Sequence, residues 1–149
     1  MDETVEYLEY IIASNPPFND IETSFKTFKV DSLEKDELEG FFYKIELRDK
    51  ENLLVSSKTS KVFISEIKNI IMEESMYDDA KRYSIRIGIN QTENSESFAI
   101  AYNEGYQSAK IDEVTILLPY NKELAGKVKK ALLQLGELNN IKINDLNAF

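Results

Sequence analysis

The chain has 149 residues, of which 42% are hydrophobic and 11% aromatic, a composition typical of one ordered globular domain with room for a proper core. Histidine and cysteine are both absent, which excludes Ser-His-Asp and Cys-His catalysis, disulfides and an ordinary zinc site. An excess of 27 acidic over 18 basic residues gives a net charge of −9, which opposes binding to nucleic acid or anionic membranes and favours a basic partner.

Cofactor motifs are missing too. The five glycines form neither a G-x-x-x-x-G-K-[ST] loop nor a G-x-G-x-x-G turn, so we expect no bound cofactor. The opening residues MDETVEYLEY lack the basic start and apolar centre of a signal peptide, and no apolar run approaches the roughly 18 residues of a membrane span. We therefore expect a cytoplasmic protein, with residues 1–149 forming a single domain.

Residues 1–15 are predicted to form an N-terminal helix. Met1, Val5, Leu8 and Ile12 follow one another at steps of four, three and four, and the sequence Asn-Pro-Pro at 15–17 ends the pattern. The apolar stripe predicts packing onto the domain. Contact with a second copy of the chain is the alternative, so a homo-oligomer stays open.

The antiparallel strands are expected over residues 24–120, beginning with a strand at 24–30. Residues 31–39 then form a strongly charged connector with five acids and one lysine. The simplest interpretation of this connector is a solvated loop or a short helical turn. The functional interpretation is an acidic patch that docks a partner protein, formed by Asp31, Glu34, Asp36, Glu37 and Glu39.

The next residues predict a hairpin. Residues 40–47 alternate, with Phe41, Tyr43 and Ile45 on one face, and the chain returns over 53–57 after a turn at 49–52. Residues 58–61 are predicted to be a polar loop. The segment 62–72 fits a helix or two strands, and its isoleucines favour a strand, a turn and a second strand. Residues 73–81 are predicted to be a charged loop.

Residues 83–120 carry the clearest strand pattern. Tyr83, Ile85, Ile87 and Ile89 alternate with smaller or polar residues, and a second alternating segment runs from 98 to 102. After a short turn at 103–105, a third strand is predicted from Tyr106 to Tyr120, with a bulge near Asp112–Glu113. Local turns joining these segments predict a three-stranded antiparallel meander.

The last long element is predicted to be an amphipathic helix at 121–138. Its apolar residues recur at steps of three and four while its lysines fall mostly off that stripe, and Asn121 is placed as its N-cap. We expect this helix to close a β-sheet or barrel. The tail at 139–149 carries four spaced apolar residues, which either fold back on the domain or offer a peptide to a partner.

This order of elements resembles that of bacterial PH-like barrel domains. The meander from Tyr83 to Tyr120 and the helix KELAGKVKKALLQL carry the resemblance, and the leading helix DETVEYLEYI is similar to an appended element. The resemblance implies an α+β fold in which two mainly antiparallel sheets form an open barrel plugged at one end by the final helix. PH-like folds host lipid, peptide and protein binding. The basic loop that binds phosphoinositides in some members has only Lys58 and Lys61 as counterparts.

Three functions are compatible with these patterns. The first is a non-enzymatic binding or assembly module for a protein partner, favoured by the missing catalytic motifs. The second is an acidic inhibitor or immunity protein that blocks the basic cleft of a nucleic-acid enzyme, using the five acids between Asp31 and Glu39. The third is a small carboxylate-dependent enzyme built on adjacent acids, although neighbours along a strand point to opposite faces.

Overall fold

The computed structural model describes residues 2–29, 38–77 and 79–147, which form an α+β fold of mainly antiparallel sheet with a helix near each end. This confirms the predicted fold class. No helical stretch within the described residues has the length and apolar content that a membrane span requires. In chain order the elements are α1 (Asp2–Ser14), β1 (Ile21–Lys29), β2 (Leu38–Arg48), β3 (Leu54–Phe63), a single 3-10 turn (Ile64–Glu66), β4 (Ile67–Tyr77), β5 (Ala80–Ile89), β6 (Phe98–Tyr102), β7 (Tyr106–Lys110), β8 (Glu113–Leu118), α2 (Lys122–Leu138) and β9 (Asn144–Asp145).

The strands form two sheets that do not close on each other, as in an open barrel. The larger sheet has the order β1-β2-β3-β6-β7 and the smaller one β8-β5-β4-β9. Every pairing is antiparallel except that of β4 with β9, which is parallel. The 3-10 turn at 64–66 carries the chain from β3 in one sheet to β4 in the other. Segment 62–72 is therefore strand, turn and strand, as its isoleucines predict.

The core lies between the inward faces of the two sheets. Phe25 of β1 and Phe41 of β2 are fully buried, and their rings stack with centroids 4.6 Å apart. The smaller sheet contributes alternate residues of β5 and β8, which are also fully buried: Ile85, Ile87, Ile89, Ile116 and Leu118. Removing one such side chain from water contributes roughly 1.5–3 kcal/mol. The period-2 apolar pattern of β5 and β8 thus corresponds to the face that each of these strands turns toward the core.

Helix α2 closes the core as predicted. The side chain of Asn121 accepts a hydrogen bond from the Leu124 backbone N–H at 3.0 Å, which confirms its role as the N-cap. The buried stripe of the helix packs against β4, β5 and α1 and consists of Ala125, Val128, Ala131, Leu132 and Leu135. Its lysines lie off this stripe, so the amphipathic pattern is satisfied by the core itself.

Helix α1 packs on β1 and α2, with Leu8 and Ile12 fully buried. It also covers the outer edge of β1. One carboxylate oxygen of Glu9 accepts hydrogen bonds from the backbone N–H and the hydroxyl of Thr27, both at 3.3 Å. The helix thereby covers a strand edge that another chain would otherwise pair with.

The predicted meander over 83–120 is wrong. Strand β5 pairs with β4 and β8, whereas β6 and β7 belong to the other sheet beside β3. The residues near Asp112–Glu113 are a corner between the two sheets and not a bulge. The long connection before β6 is fixed there because the Glu66 carboxylate accepts from the backbone N–H groups of Glu96 and Ser97, at 2.7 and 2.9 Å.

Two predicted loops are strand, and β1 begins at Ile21, before the predicted residue 24. Lys58–Lys61 lies within β3, and most of the charged segment 73–81 belongs to the hairpin of β4 and β5, which turns near Asp79 at φ 61°. The polarity of both segments predicts loops. Polar residues are expected on the open face of an antiparallel sheet, so polarity alone did not distinguish the two structures.

The tail folds back on the domain. Residues 144–145 pair with β4, and the Leu146 N–H donates to the Ile70 carbonyl at 2.9 Å. Lys129 of α2 holds the Asp145 carboxylate through both oxygens at 3.1 Å. The tail therefore covers the part of the β4 edge around Asn69 and Ile70.

Candidate functional site

The outer face of the five-stranded sheet carries a row in which lysine and phenylalanine alternate across all five strands. The register pairs Lys26 with Phe42, Phe42 with Lys61, Lys61 with Phe98, and Phe98 with Lys110. Residues paired in this way have side chains on the same face, about 4.5–5.5 Å apart. We call these five residues the Lys/Phe row. Its centre is half-buried and its two end lysines are exposed.

An aromatic cluster surrounds Lys61 at the centre of this row. The ring of Phe28 lies 5.1 Å from that of Phe42 and 5.4 Å from that of Phe63. The Lys61 ammonium lies 4.9, 5.7 and 5.2 Å from the centroids of Phe28, Phe42 and Phe63, within the range of cation–π attraction. Among the described residues, no carboxylate forms an ion pair with Lys61, and the nearest contacts of its charged group are these ring faces.

Gly40 makes this cluster sterically feasible. A Cβ atom at this position would lie 2.5 Å from Cζ of Phe28 and 2.1 Å from the carbonyl oxygen of Val62. Because glycine leaves that space empty, the Phe28 ring can lie across β2 toward Phe63. The glycine thus positions an aromatic ring on the outer face.

A groove of about 740 Å³ crosses the same face from β1 to β7. Among the described residues, its wall contains three phenylalanines, three lysines and two glutamates, a formal charge of +1, while the whole chain carries −9. The Lys110 ammonium donates to the Glu93 carbonyl at 3.0 Å at one end. The lining residues are Phe28, Lys29, Glu39, Lys61, Phe63, Ser95, Glu96, Phe98 and Lys110.

Within the described residues, strand β7 is an edge strand of this sheet that pairs only with β6. Two hydrogen bonds at the ends of the β6–β7 ladder show which of its residue pairs are hydrogen-bonded. One runs from the Asn103 N–H to the Gly105 carbonyl and the other from the Ile111 N–H to the Ser97 carbonyl. Because hydrogen-bonded and non-hydrogen-bonded pairs alternate in an antiparallel ladder, the backbone groups of Tyr106, Ser108 and Lys110 point away from β6. All five residues of β7 are exposed, with Tyr106 at 79%.

The other strand edges are covered or partly bonded within the described residues. Glu9 of α1 bonds to β1, and β9 pairs with β4. At the edge of β8, the Leu117 N–H donates to the Tyr43 hydroxyl at 3.3 Å. Burial raises the pKa of Tyr43 to about 12, although that hydrogen bond acts in the opposite direction. In the described part of the chain, β7 is thus a sheet edge that no other strand pairs with and whose residues are all exposed.

Of the five acids in the predicted acidic patch, the described residues include only Glu39. Glu39 is half-buried in β2 and lines the groove beside lysines. Asp31, Glu34, Asp36 and Glu37 lie outside the described residues, so docking of a basic partner on this patch stays a prediction.

The carboxylates of the smaller sheet are engaged by neighbouring side chains. Glu74 accepts from the hydroxyls of Tyr83 and Tyr120, at 3.4 and 3.2 Å, and these two rings stack 5.2 Å apart. Burial, and secondarily the Glu74 charge, raises the pKa of Tyr83. Glu73 pairs instead with Arg86 at 3.6 Å. The parts of the chain described here contain no cluster of three acids that would hold a metal ion.

Sequence reasoning missed the Lys/Phe row because residues 58–61 were read as a loop. The signal was available in Lys61-Val62-Phe63, where the central residue is buried and its two neighbours face outward. Joining residues from five strands into one row, however, needs the register between the strands. The comparisons with known proteins found no matching family model, no matching curated protein and no matching solved structure.

Proposed function

We propose that this protein is a non-enzymatic binding module that receives an extended segment of a partner protein as an added strand beside β7. The observation that carries the proposal is the outward direction of the backbone groups of Tyr106, Ser108 and Lys110 on a fully exposed strand. An added strand satisfies such groups through main-chain hydrogen bonds, which is how several peptide-binding domains bind their ligands.

Side chains near this edge suit a protein partner. The rings of Tyr102 and Tyr106 lie 5.0 Å apart, and Ile100 on the next strand is exposed. Tyrosine is enriched at protein interfaces because its ring buries a large apolar area while its hydroxyl finds a polar partner. The added strand would therefore gain apolar contacts on the outer face besides its main-chain hydrogen bonds.

A PH-like architecture is part of this proposal. Two unclosed antiparallel sheets and a helix that packs its apolar stripe on the core support this architecture, whereas the meander at 83–120, which also carried the resemblance, is replaced by strands of two sheets. Folds of this type serve lipid, peptide and protein binding, so the proposed function rests on the edge and not on the fold. A cytoplasmic location belongs to the proposal as well.

The test removes a single outward N–H group. Ser108→Pro deletes the N–H that an added strand would bond to, while the ladder with β6 keeps its bonds at neighbouring residues. Ser108→Ala is the matched control because it removes the hydroxyl and keeps the N–H. Tagged wild-type and variant proteins are isolated from cells that naturally produce the chain, and the dissociation constant of the recovered partner is then measured by calorimetry.

We expect Ser108→Pro to weaken binding about ten-fold or more, and Ser108→Ala to change it less than about two-fold. Hydrogen exchange of the Tyr106, Ser108 and Lys110 amides should slow in the complex. A strictly monomeric protein without any partner contradicts the proposal. So does a partner whose affinity is the same for both variants.

A further inference from the structure

We propose that the Lys/Phe row is a second binding site, specific for an acidic protein segment in the polyproline II conformation with a carboxylate at every third residue. This site is separate from strand addition at β7, because the segment would cross the strands along the Lys/Phe row, of which Lys61, Phe98 and Lys110 line the groove. Lys26, Lys61 and Lys110 would contact its carboxylates, and Phe42 and Phe98 the residues between them.

The spacing of the lysines supports this ligand. Lys26, Lys61 and Lys110 lie on alternate strands of one row, and neighbouring strands are about 4.8 Å apart, so their backbone positions repeat at roughly 9.6 Å. A polyproline II helix rises about 3.1 Å per residue and repeats every three residues, or roughly 9.3 Å. In a β-strand, residues on one face repeat at about 6.8 Å and fit the lysines less well.

The aromatic rings support the same conformation. Phe42 and Phe98 alternate with the lysines, and the groove that crosses the face is lined by Phe28, Phe63 and Phe98. Proline-rich segments dock in aromatic-lined grooves because their polyproline II helix is preformed and its pyrrolidine rings pack against the aromatic side chains. A ligand that already has the bound conformation loses less entropy on binding, which favours proline between the acids.

The charges of the groove favour spaced carboxylates over nucleic acid. Glu39 and Glu96 line the groove together with its lysines, and the chain as a whole carries −9. A nucleic-acid strand brings a phosphate with every nucleotide and would place some of them against these glutamates. A segment with acids only at every third residue can place neutral residues there.

The test uses fluorescein-labelled peptides and measures binding by fluorescence anisotropy at low ionic strength. The probe is the peptide PEPPEPPEPP, and the matched control PPPEEEPPPP has the same composition and charge with contiguous acids. Lys26→Glu/Lys110→Glu is the test variant, since both side chains are exposed and their replacement leaves the core intact. Lys50→Glu/Lys122→Glu changes the net charge equally at exposed positions outside the groove.

We expect the spaced peptide to bind about ten-fold tighter than the peptide with contiguous acids. The Lys26→Glu/Lys110→Glu variant should bind the spaced peptide about ten-fold more weakly than the wild type, or weaker still. The Lys50→Glu/Lys122→Glu control should stay within about two-fold of the wild type, and circular dichroism should show that all variants fold. The proposal would be overturned if the two peptides bound with equal affinity, or if both double variants lost the same amount of affinity. It would also be overturned if the spaced peptide did not bind, or if an oligothymidylate bound more tightly. Ser108→Pro should bind the spaced peptide normally, so failure here and failure of strand addition are distinguishable.

Discussion

The side chain of Asn147 bonds to both backbone groups of Met72. Its Oδ1 accepts from the Met72 N–H at 2.6 Å, and its Nδ2 donates to the Met72 carbonyl at 3.0 Å. The carboxamide thereby occupies the place that the main chain of a paired strand would occupy on the edge of β4. It continues a pairing that β9 begins at Asn69 and Ile70.

Asn147→Ala should release this end of the tail. The substitution removes two hydrogen bonds and leaves the Met72 N–H without its protein partner, so we expect a loss of roughly 1–3 kcal/mol in the free energy of unfolding by urea. Hydrogen exchange of the Met72 amide should become faster. Asn144→Ala is the control, because the exposed Asn144 takes part in the pairing through its backbone. Equal stability of the two variants would show that the carboxamide adds nothing to the tail.

Gly40 and Gly126 should respond to alanine in opposite directions. A Cβ at Gly40 would lie 2.1 Å from the Val62 carbonyl oxygen, a backbone atom that cannot turn away, so Gly40→Ala should destabilise the fold by several kcal/mol. Gly126 lies inside α2 and its added Cβ would have no neighbour within 4 Å. Gly126→Ala should therefore stabilise by about 0.5–1 kcal/mol, since alanine has the higher helix propensity. Thermal and urea unfolding of both variants give the comparison.

The buried hydroxyl of Tyr43 should make the fold sensitive to alkali. Its pKa is raised from 10.0 to about 12 in the folded state, chiefly by burial, so the folded chain holds this proton more tightly than the unfolded chain does. The resulting stability is complete below about pH 10 and is lost as the pH rises toward 12, by roughly 1.4 kcal/mol per pH unit. Urea unfolding between these values measures the slope.

Tyr43→Phe separates this effect from the other tyrosines. The variant should be less stable by roughly 1–3 kcal/mol below pH 10, because the Leu117 N–H loses its acceptor. Its stability should then fall less steeply with rising pH than that of the wild type. Parallel slopes for the two proteins would show that Tyr43 ionises at its ordinary pKa.

Helices and strands with a clear hydrophobic periodicity are predictable from the sequence, whereas the pairing of the strands is not. The stripe of α2 and its N-cap Asn121 were found because each depends on residues within a few positions of one another. The alternation of apolar with smaller or polar residues along β5 and β6 is the same whether the two strands belong to one sheet or to two different sheets. Their separation depends on Glu66 fixing the Glu96 and Ser97 amides, a contact across about thirty residues of chain.

The candidate site was hidden for the same reason. Lys61 and Phe98 are distant in sequence and became neighbours only through the register of β3 with β6. The composition also predicts a different partner, since the acidic excess of the chain favours a basic one, while the described residues that line the groove have a formal charge of +1. Net charge describes the average field of a protein, and binding depends on the charges that share one face.

The ion pair of Lys129 with Asp145 should couple α2 to the tail. Both carboxylate oxygens lie 3.1 Å from the ammonium, and the side chains are only 16% and 26% exposed, so solvent screens the pair less than a surface pair. Asp145 also accepts a hydrogen bond from the Asn147 N–H at 3.0 Å. The stability change of Asp145→Asn alone therefore cannot be assigned to the ion pair. A double-mutant cycle with Lys129→Met removes that ambiguity, and we expect a coupling of about 1 kcal/mol. The Glu123–Lys127 pair on the exposed surface of α2 is the control, with a coupling below about 0.5 kcal/mol. Equal coupling in both cycles would mean that the tail is held by its backbone and by Asn147 without help from this ion pair.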